Sequence, residues 1–408
     1  MSLLESSTTA IISTGTQTTT STTTTSSAEN IPTCQLKFQR IVIHGVNSSN
    51  IVIRQPAIVA DFNNDNRLDL VFLYTKPNAV NVLLGNGNGT FIVQWVLLQG
   101  SLNVLSSITS GDLNNDKILD LAFVDQYANT VNIVFGNGNG TFGSVKTLSV
   151  GNGSFLQGIT VADFNGDTYL DIAVANEYQN NVRVFFGDGK QTFIAQTTLY
   201  TGRSSWPNAI AAADFNSDGY KDIAVVNYYA RNVGIFLAYG NGSFQAQQTS
   251  FTGGYYNPVA FNVADFNSDG RFDVAVLYGS DNSIGVLFGL GNGTLGSTAK
   301  FVLGDKLITT EVAVGDFNGD GYLDISGSTG NYTIVVLVGN KNGNFEQQVI
   351  PTFDDYDLPI PSAAGDFNGD GYQDIVSMDQ WEGFLYILLN TGQCYPNKTL
   401  DTSTPIHQ

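Results

Sequence analysis

The stretch Asp316-Phe-Asn-Gly-Asp-Gly-Tyr-Leu-Asp324 carries carboxylate or amide oxygens at positions 1, 3, 5 and 9 and an aromatic ring at position 2. The same string, Asp-aromatic/Leu-Asn-x-Asp-x-x-x-Asp, begins at Asp61, Asp112, Asp163, Asp214, Asp265, Asp316 and Asp366. Successive copies are 51, 51, 51, 51, 51 and 50 residues apart. A period of this kind marks one supersecondary unit per copy, stacked on its neighbours.

Flanking residues recur with the string. The residue before the first Asp is small (Ala60, Gly111, Ala162, Ala213, Ala264, Gly315, Gly365), as a crowded inner strand requires, and position 2 is Phe62, Leu113, Phe164, Phe215, Phe266, Phe317 or Phe367. After position 9 an apolar residue (Leu70, Leu121, Ile172, Ile223, Val274, Ile325, Ile375) opens a short β-branched run that reads as a second strand. A third run, such as Asn181-Val-Arg-Val-Phe-Phe, is followed by Gly/Asn turns such as Gly85-Asn-Gly-Asn-Gly and Gly136-Asn-Gly-Asn-Gly that suit hairpins. A fourth strand is expected to begin at Thr90-Phe91, Thr141-Phe142, Thr192-Phe193 or Ser243-Phe244.

Four antiparallel strands per unit, seven times over, specify an all-β fold, a seven-bladed β-propeller. Solenoids would need helices or shorter units. The seventh copy has no fourth strand after Leu388-Leu389-Asn390, and the segment from Gln35 to Gly45 resembles the missing one. The N-terminal strand is therefore expected to complete the last blade, close the ring and remove the exposed edges.

The seven loops offer Asp61, Asn63, Asp65 and Asp69; Asp112, Asn114, Asp116 and Asp120; Asp163, Asn165, Asp167 and Asp171; Asp214, Asn216, Asp218 and Asp222; Asp265, Asn267, Asp269 and Asp273; Asp316, Asn318, Asp320 and Asp324; and Asp366, Asn368, Asp370 and Asp374. Hard oxygen donors on alternate residues of a turn suit Ca2+, up to seven ions here, whereas Mg2+ takes fewer protein ligands. Zinc would want His and Cys, and the chain has only His44, His407, Cys34 and Cys394. An EF-hand needs a bidentate Glu at position 12 between helices, but position 12 is Phe72, Phe123, Val174, Val225, Val276, Gly327 or Ser377. Metal-free Asx-turns would account for one copy, yet three carboxylates in one turn repel unless neutralised. With three Asp per loop the motifs hold 21 of the 36 acidic residues, and seven dications would take the formal charge from −19 to −5.

Position 6 of such a turn favours Gly, which Gly219, Gly270, Gly321 and Gly371 provide. Asn66 tolerates a positive φ, whereas Lys117 and Thr168 do so less readily. The second and third loops are expected to bind more weakly.

Acidic balance argues against nucleic-acid partners, whose affinity depends on Lys and Arg. Neither an apolar run of membrane-spanning length nor a secretory core segment is visible, since Met1 to Ala10 is polar. Residues 1–33 are Ser/Thr-rich and cannot bury a core, which reads as a stalk or a tail; residues 34–396 form the propeller and 397–408 a short C-terminal segment. Cys34 and Cys394 stand at the two ends of the patterned region, either as a disulfide or as two separate thiols. Closure by the N-terminal strand would bring them together as a staple on the ring's seam.

With these motifs, together with Leu337-Val-Gly-Asn and Val134-Phe-Gly-Asn-Gly, the chain from about 35 to 394 resembles the FG-GAP and VCBS repeat family, which includes the propeller heads of integrin α chains. The resemblance implies calcium at the turn between the first and second strands of each blade, held by positions 1, 3, 5 and 9 and a backbone carbonyl at position 7. Integrin heads carry such loops in only some blades, so seven of seven is closer to the VCBS type. No leg region or von Willebrand-type domain accompanies the repeats, and integrin-like signalling is not implied.

Loops on the face away from the metal turns vary between copies, as specificity loops do. They hold Tyr74, Tyr127, Tyr178, Trp206, Tyr228, Tyr229, Tyr255, Tyr256, Tyr356 and Trp381, with Asn180, Arg203, Arg231 and Glu382 nearby. Tyr127, Tyr178, Trp206, Tyr228, Tyr229, Tyr255, Tyr256, Tyr356 and Trp381 are the candidate ligand contacts, for a protein or a glycan; the bland alternative is blade-to-blade packing. Sequons at Asn47, Asn88, Asn139, Asn152, Asn241, Asn292, Asn331 and Asn397 suit an extracellular glycoprotein, although several fall in turns the fold needs anyway. Adhesion or recognition is the expected function. A polysaccharide lyase or hydrolase on the same scaffold is the alternative, but no nucleophile-His-acid set is apparent; the non-repeating Asp354, Asp355 and Asp357 are its best candidates.

Overall fold

A computed structural model describes residues 36–43, 57–75, 78–96, 104–252, 257–279, 283–303, 311–329, 333–350, 359–379 and 385–392. These form seven four-stranded antiparallel sheets arranged as the blades of one propeller. Blade 3 illustrates the unit: Leu156–Ala162, Asp171–Asn176, Asn181–Gly187 and Phe193–Tyr200 pair in sequence order from the axis outward. Second strands such as Asp171–Asn176 and Asp222–Asn227 are buried along their whole length because each has a neighbouring blade on both faces.

Blade 7 takes its outer strand from the other end of the chain. Phe38–Ile43 pairs antiparallel with Leu385–Asn390 in the register Phe38↔Asn390 to Ile43↔Leu385, and Thr391 N–H donates to Lys37 O at 3.0 Å. The expected closure is thus present over Phe38–Ile43; Gln35, His44 and Gly45 of the expected segment lie outside the described residues.

Each blade packs on the next through its own apolar cluster, seven in all among the described residues. The position-2 side chain of each loop, a Phe ring in six and Leu113 in the second, lies in the cluster shared with the following blade. There it usually meets the aromatic that opens that blade's fourth strand: Phe62 on Phe142 (centroids 6.1 Å apart), Phe164 on Phe244 (6.0 Å), Phe367 on Phe91 (5.6 Å). Phe317 meets Phe38 at 6.4 Å, so the borrowed N-terminal strand supplies the same contact. In blade 5, where Leu295 replaces that aromatic, Phe215 turns to Phe272 at 6.3 Å.

Small residues before the first Asp are explained by the same stacking. A Cβ on Gly111 would stand 2.6 Å from Leu170 of the next blade's loop, and one on Gly365 2.8 Å from Leu68. Two fourth strands start later than expected. Phe142 and Phe244 make only isolated bridges to Gly136 and Ala238, and the strands run Lys146–Ser149 and Gln248–Phe251. The rings are drawn inward to the preceding blade's Phe62 and Phe164, and the chain needs several residues to regain the sheet edge.

Candidate functional site

The seven acidic turns lie between first and second strands, on the same face as the Gly/Asn turns between third and fourth strands. Turns between second and third strands, and the links between blades, occupy the other face.

Every acidic turn is built alike. In the first, Asp65 N–H donates to Asp61 Oδ1 at 3.1 Å and Asn66 N–H to Asp61 Oδ2 at 2.7 Å. Asn63 Nδ2 donates to Asp65 Oδ2 and Arg67 N–H to Asp65 Oδ1. The position-9 Asp is buried beneath, and each of its oxygens accepts a backbone N–H. Asp69 Oδ2 takes Phe62 N–H and Oδ1 takes Gly85 N–H, both at 2.8 Å. Asp222 does the same with Phe215 and Ala238, and Asp374 with Phe367 and Asn390. One carboxylate thereby ties the turn to the end of the third strand, a bracing role that sequence reading missed.

Burial is what chiefly raises these carboxyls. Asp69 is pushed up to about 6, Asp120, Asp171, Asp222, Asp273 and Asp374 to about 7, and Asp324 to about 8. Hydrogen bonds from the two backbone N–H groups oppose the rise, and the charges of the position-1 and position-5 Asp add to it. Among the described residues no three His, Cys, Asp or Glu side chains converge as a ready-made ligand group, because the loop's own N–H groups hold the acidic oxygens. The donor set itself fits Ca2+: each carboxylate or amide oxygen has a second lone pair, and a dication would offset the mutual repulsion of the three Asp charges that adds to the effect of burial.

Position 6 is left-handed in all seven turns, from Asn66 (φ 62°), Lys117 (φ 69°) and Thr168 (φ 74°) to Gly219 and Gly371 (both φ 90°). Position 4 is left-handed as well, at Asn64, Asn115, Gly166, Ser217, Ser268, Gly319 and Gly369. The Asn/Gly/Ser restriction at position 4 was a readable signal of it. Lys117 and Thr168 carry a strain that Gly would not. Lys117→Gly and Thr168→Gly are each expected to raise stability by about 1 kcal/mol with calcium present, measured by denaturant melts; a loss for both would refute the strain.

Position 7 also has a local role. A Cβ on Gly240 would lie 2.1 Å from the Tyr220 ring, so the position-7 side chain covers the neighbouring Gly/Asn turn and excludes any larger residue there.

On the opposite face Tyr127, Tyr178 and Tyr229 occupy equivalent places in turns 126–129, 177–180 and 228–231. All three are exposed, and Tyr228 is half-buried. Trp206 sits in the link from blade 3 to blade 4, its ring 5.2 Å from that of Tyr229. The structure adds three rings to this group. Phe155 stacks on Tyr178 (4.5 Å, 9° between planes) and meets Tyr127 edge-on at 5.5 Å, while Tyr200 and Phe251 are exposed at the ends of fourth strands. Phe155 stands 51 residues before Trp206, and Tyr200 51 before Phe251, so the repeat period itself pointed to them. Tyr255, Tyr256, Tyr356, Trp381, Glu382, the acidic trio Asp354, Asp355 and Asp357, and both Cys34 and Cys394 lie outside the described residues.

First strands line a central cavity with ≈ 980 Å³ of space, open solvent included. Glu311 is the one ionisable group among its lining residues, and burial holds its carboxyl well above the usual range. Among the described residues no helix is long and apolar enough to cross a membrane.

Comparison with known proteins agrees with the fold. The catalytically inactive virginiamycin B lyase from Staphylococcus aureus is 15% identical, with a TM-score of 0.58 over 87% of this chain and 100% of that one. A lectin from Agrocybe aegerita, described as recognising non-reducing terminal N-acetylglucosamine, is 20% identical, with a TM-score of 0.56 over 83% and 86% of the two chains. A protein from Lactobacillus plantarum is 10% identical, with a TM-score of 0.57 over 78% and 97%. At these identities the likeness is one of fold. No curated protein matches the sequence. The FG-GAP-like repeat model matches residues 61–123, 112–174, 163–225, 214–276 and 265–326, and the FG-GAP repeat model matches 309–345. These matches span most of the ring, and the chain belongs to the FG-GAP repeat family.

Proposed function

We propose that the chain is a calcium-stabilised, non-catalytic recognition or adhesion module of the extracellular space, which binds a protein or glycan ligand on the face opposite its acidic turns. One observation carries this reading: the faces differ in kind. The acidic face repeats one hydrogen-bonded turn seven times, as a structural device does, whereas the other, among the described residues, presents exposed aromatic rings on the variable turns and links of blades 2 to 4. Positions 1, 3, 5 and 9, with the position-7 carbonyl, would hold each ion, and calcium would supply charge neutralisation rather than chemistry.

Exposed Asn88, Asn139, Asn241 and Asn292, each accepting a hydrogen bond from the hydroxyl two residues on, are the proposed glycosylation sites within the described turns. The lectin of like fold supports recognition as a use of such a ring. The lyase shares only the fold, and no observation here favours turnover.

Binding to arrays of glycans and secreted proteins, with calcium and after chelation, tests the reading. Specific calcium-dependent capture is expected, while processing of a bound polysaccharide would replace the reading with an enzymatic one.

A Cys34–Cys394 disulfide belongs to the same proposal. Cys34 and Cys394 lie outside the described residues, each four positions in sequence beyond the paired Phe38 and Asn390. Non-reduced peptide mapping should recover the linked pair, and reduction should cost up to ~5 kcal/mol, an upper bound because the closing strand already holds the ends. Two free thiols titrating in denatured, unreduced protein would refute it.

A further inference from the structure

The aromatic rings of blades 2 to 4 form a prebuilt surface rather than scattered exposed residues. Phe155 is held between Tyr127 and Tyr178, and Trp206 leans on Tyr229. Tyr127, Tyr178, Tyr200, Trp206, Tyr229 and Phe251 are 38% to 64% exposed. Soluble proteins seldom leave so many large rings open in one region without a ligand for them.

Their backbones are fastened. Each link carbonyl accepts a hydrogen bond from the following turn: Gln126 N–H donates to Val104 O, Glu177 N–H to Phe155 O, and Tyr228 N–H to Trp206 O, all at 2.8–2.9 Å. Trp206 is fixed further by its N–H on Asn180 Oδ1 at 3.2 Å, in a left-handed conformation (φ 54°) that a bulky residue rarely adopts. A ring held open in a strained backbone is preorganised for contact.

The charges around the rings are as distinctive. The carboxylates in these turns, Asp125 and Glu177, are buried, and Glu177 takes a hydrogen bond from Gln157. Among the described residues of these links and turns, the exposed charged side chains are Arg203 and Arg231, the latter donating its Nε–H to Asn257 Oδ1 at 3.1 Å. These are directional donors carried by the same links and turns as the flat aromatic rings.

We propose that blades 2 to 4 bind an oligosaccharide, with sugar C–H faces on Tyr178, Trp206 and Tyr229 and sugar oxygens taken by Arg203 and Arg231. Rings recurring at equivalent places in successive blades match a ligand whose own units recur, which a saccharide chain provides and a folded protein surface does not. This proposal rests on the recognition reading above and narrows it to one ligand class.

The test is calorimetric titration of the calcium-loaded chain with chitohexaose, cellohexaose, laminarihexaose and a hyaluronan hexasaccharide. At least one should bind, and Trp206→Ala and Tyr178→Ala should each weaken it roughly tenfold, on the order of one lost ring contact. Arg203→Gln, a milder change, should weaken the same sugar without altering the melting temperature. Tyr239→Ala, an equally exposed tyrosine beside the acidic turns, should have no effect. Failure of all four sugars, or loss that follows Tyr239 instead of Trp206, overturns the proposal. A protein captured on the arrays and blocked by Trp206→Ala would also overturn it, while leaving the broader recognition reading in place.

Discussion

Chelation with EGTA at pH 7.5 should lower the melting temperature by roughly 20 °C, and the same treatment at pH 4.5 by only a few degrees. The magnitude follows from linkage: a site saturated 100-fold over its Kd contributes about 2.7 kcal/mol, seven sites multiply this, and a ring of this size shifts by roughly 1–2 °C per kcal/mol. The pH dependence follows from the buried position-9 carboxyls. Six of them, such as Asp222, are pushed from 3.8 to about 7 or 8 by burial first and by the neighbouring Asp charges second, against the pull of two backbone N–H groups. A folded-state pKa above the unfolded one means that the fold holds the proton longer. In metal-free protein stability is therefore greatest below about 4 and falls as pH rises through 7. Calcium requires the carboxylate form, so its stabilisation grows over the same interval. Melting curves with and without EGTA across this range check both slopes, and superimposable curves at every pH would remove calcium from the account of this fold.

Asp222→Ala should destabilise the protein by about 3 kcal/mol even after chelation, and by more with calcium because position 9 is also a proposed ligand, whereas Asp214→Ala should cost about 3 kcal/mol only in the presence of calcium. Asp222 is fully buried beneath its turn, where it accepts Phe215 N–H and Ala238 N–H at 2.8 Å. Deleting its carboxylate leaves two buried donors without partners, each costing on the order of 1–3 kcal/mol. Asp214 binds exposed loop N–H groups that water can serve, so its loss is felt through the ion. Denaturant melts of both variants, each with calcium and with chelator, separate bracing from ligation. An equal loss under both conditions for Asp214→Ala would show that position 1 is a structural group as well.

The seven-fold period, the strand order within a blade and the closing strand were all legible along the chain, because a turn motif with fixed acidic and aromatic positions repeats without a gap. The small residue before the first Asp likewise marks the crowded inner strand in the sequence itself. Other features depend on which blade lies next to which. Gly111 is small because Leu170, 59 residues later, leans over it, and Phe142 leaves the sheet edge to reach Phe62. The double service of Asp69, joining Phe62 to Gly85 across the blade, likewise needs the third strand to be in place.

The aromatic face divides in the same way. Tyr127, Tyr178 and Tyr229 could be chosen from their variable loops, but Phe155 became part of the group only when its link was seen between two of those turns. Local patterning of Asp, Asn, Gly and Phe is enough to specify seven blades and seven oxygen-rich turns, since hydrogen bonding and apolar alternation act over a few residues. Which carboxylates are buried, which rings remain open and where two distant segments meet arise only on ring closure, because burial is a property of neighbours that the linear chain does not name.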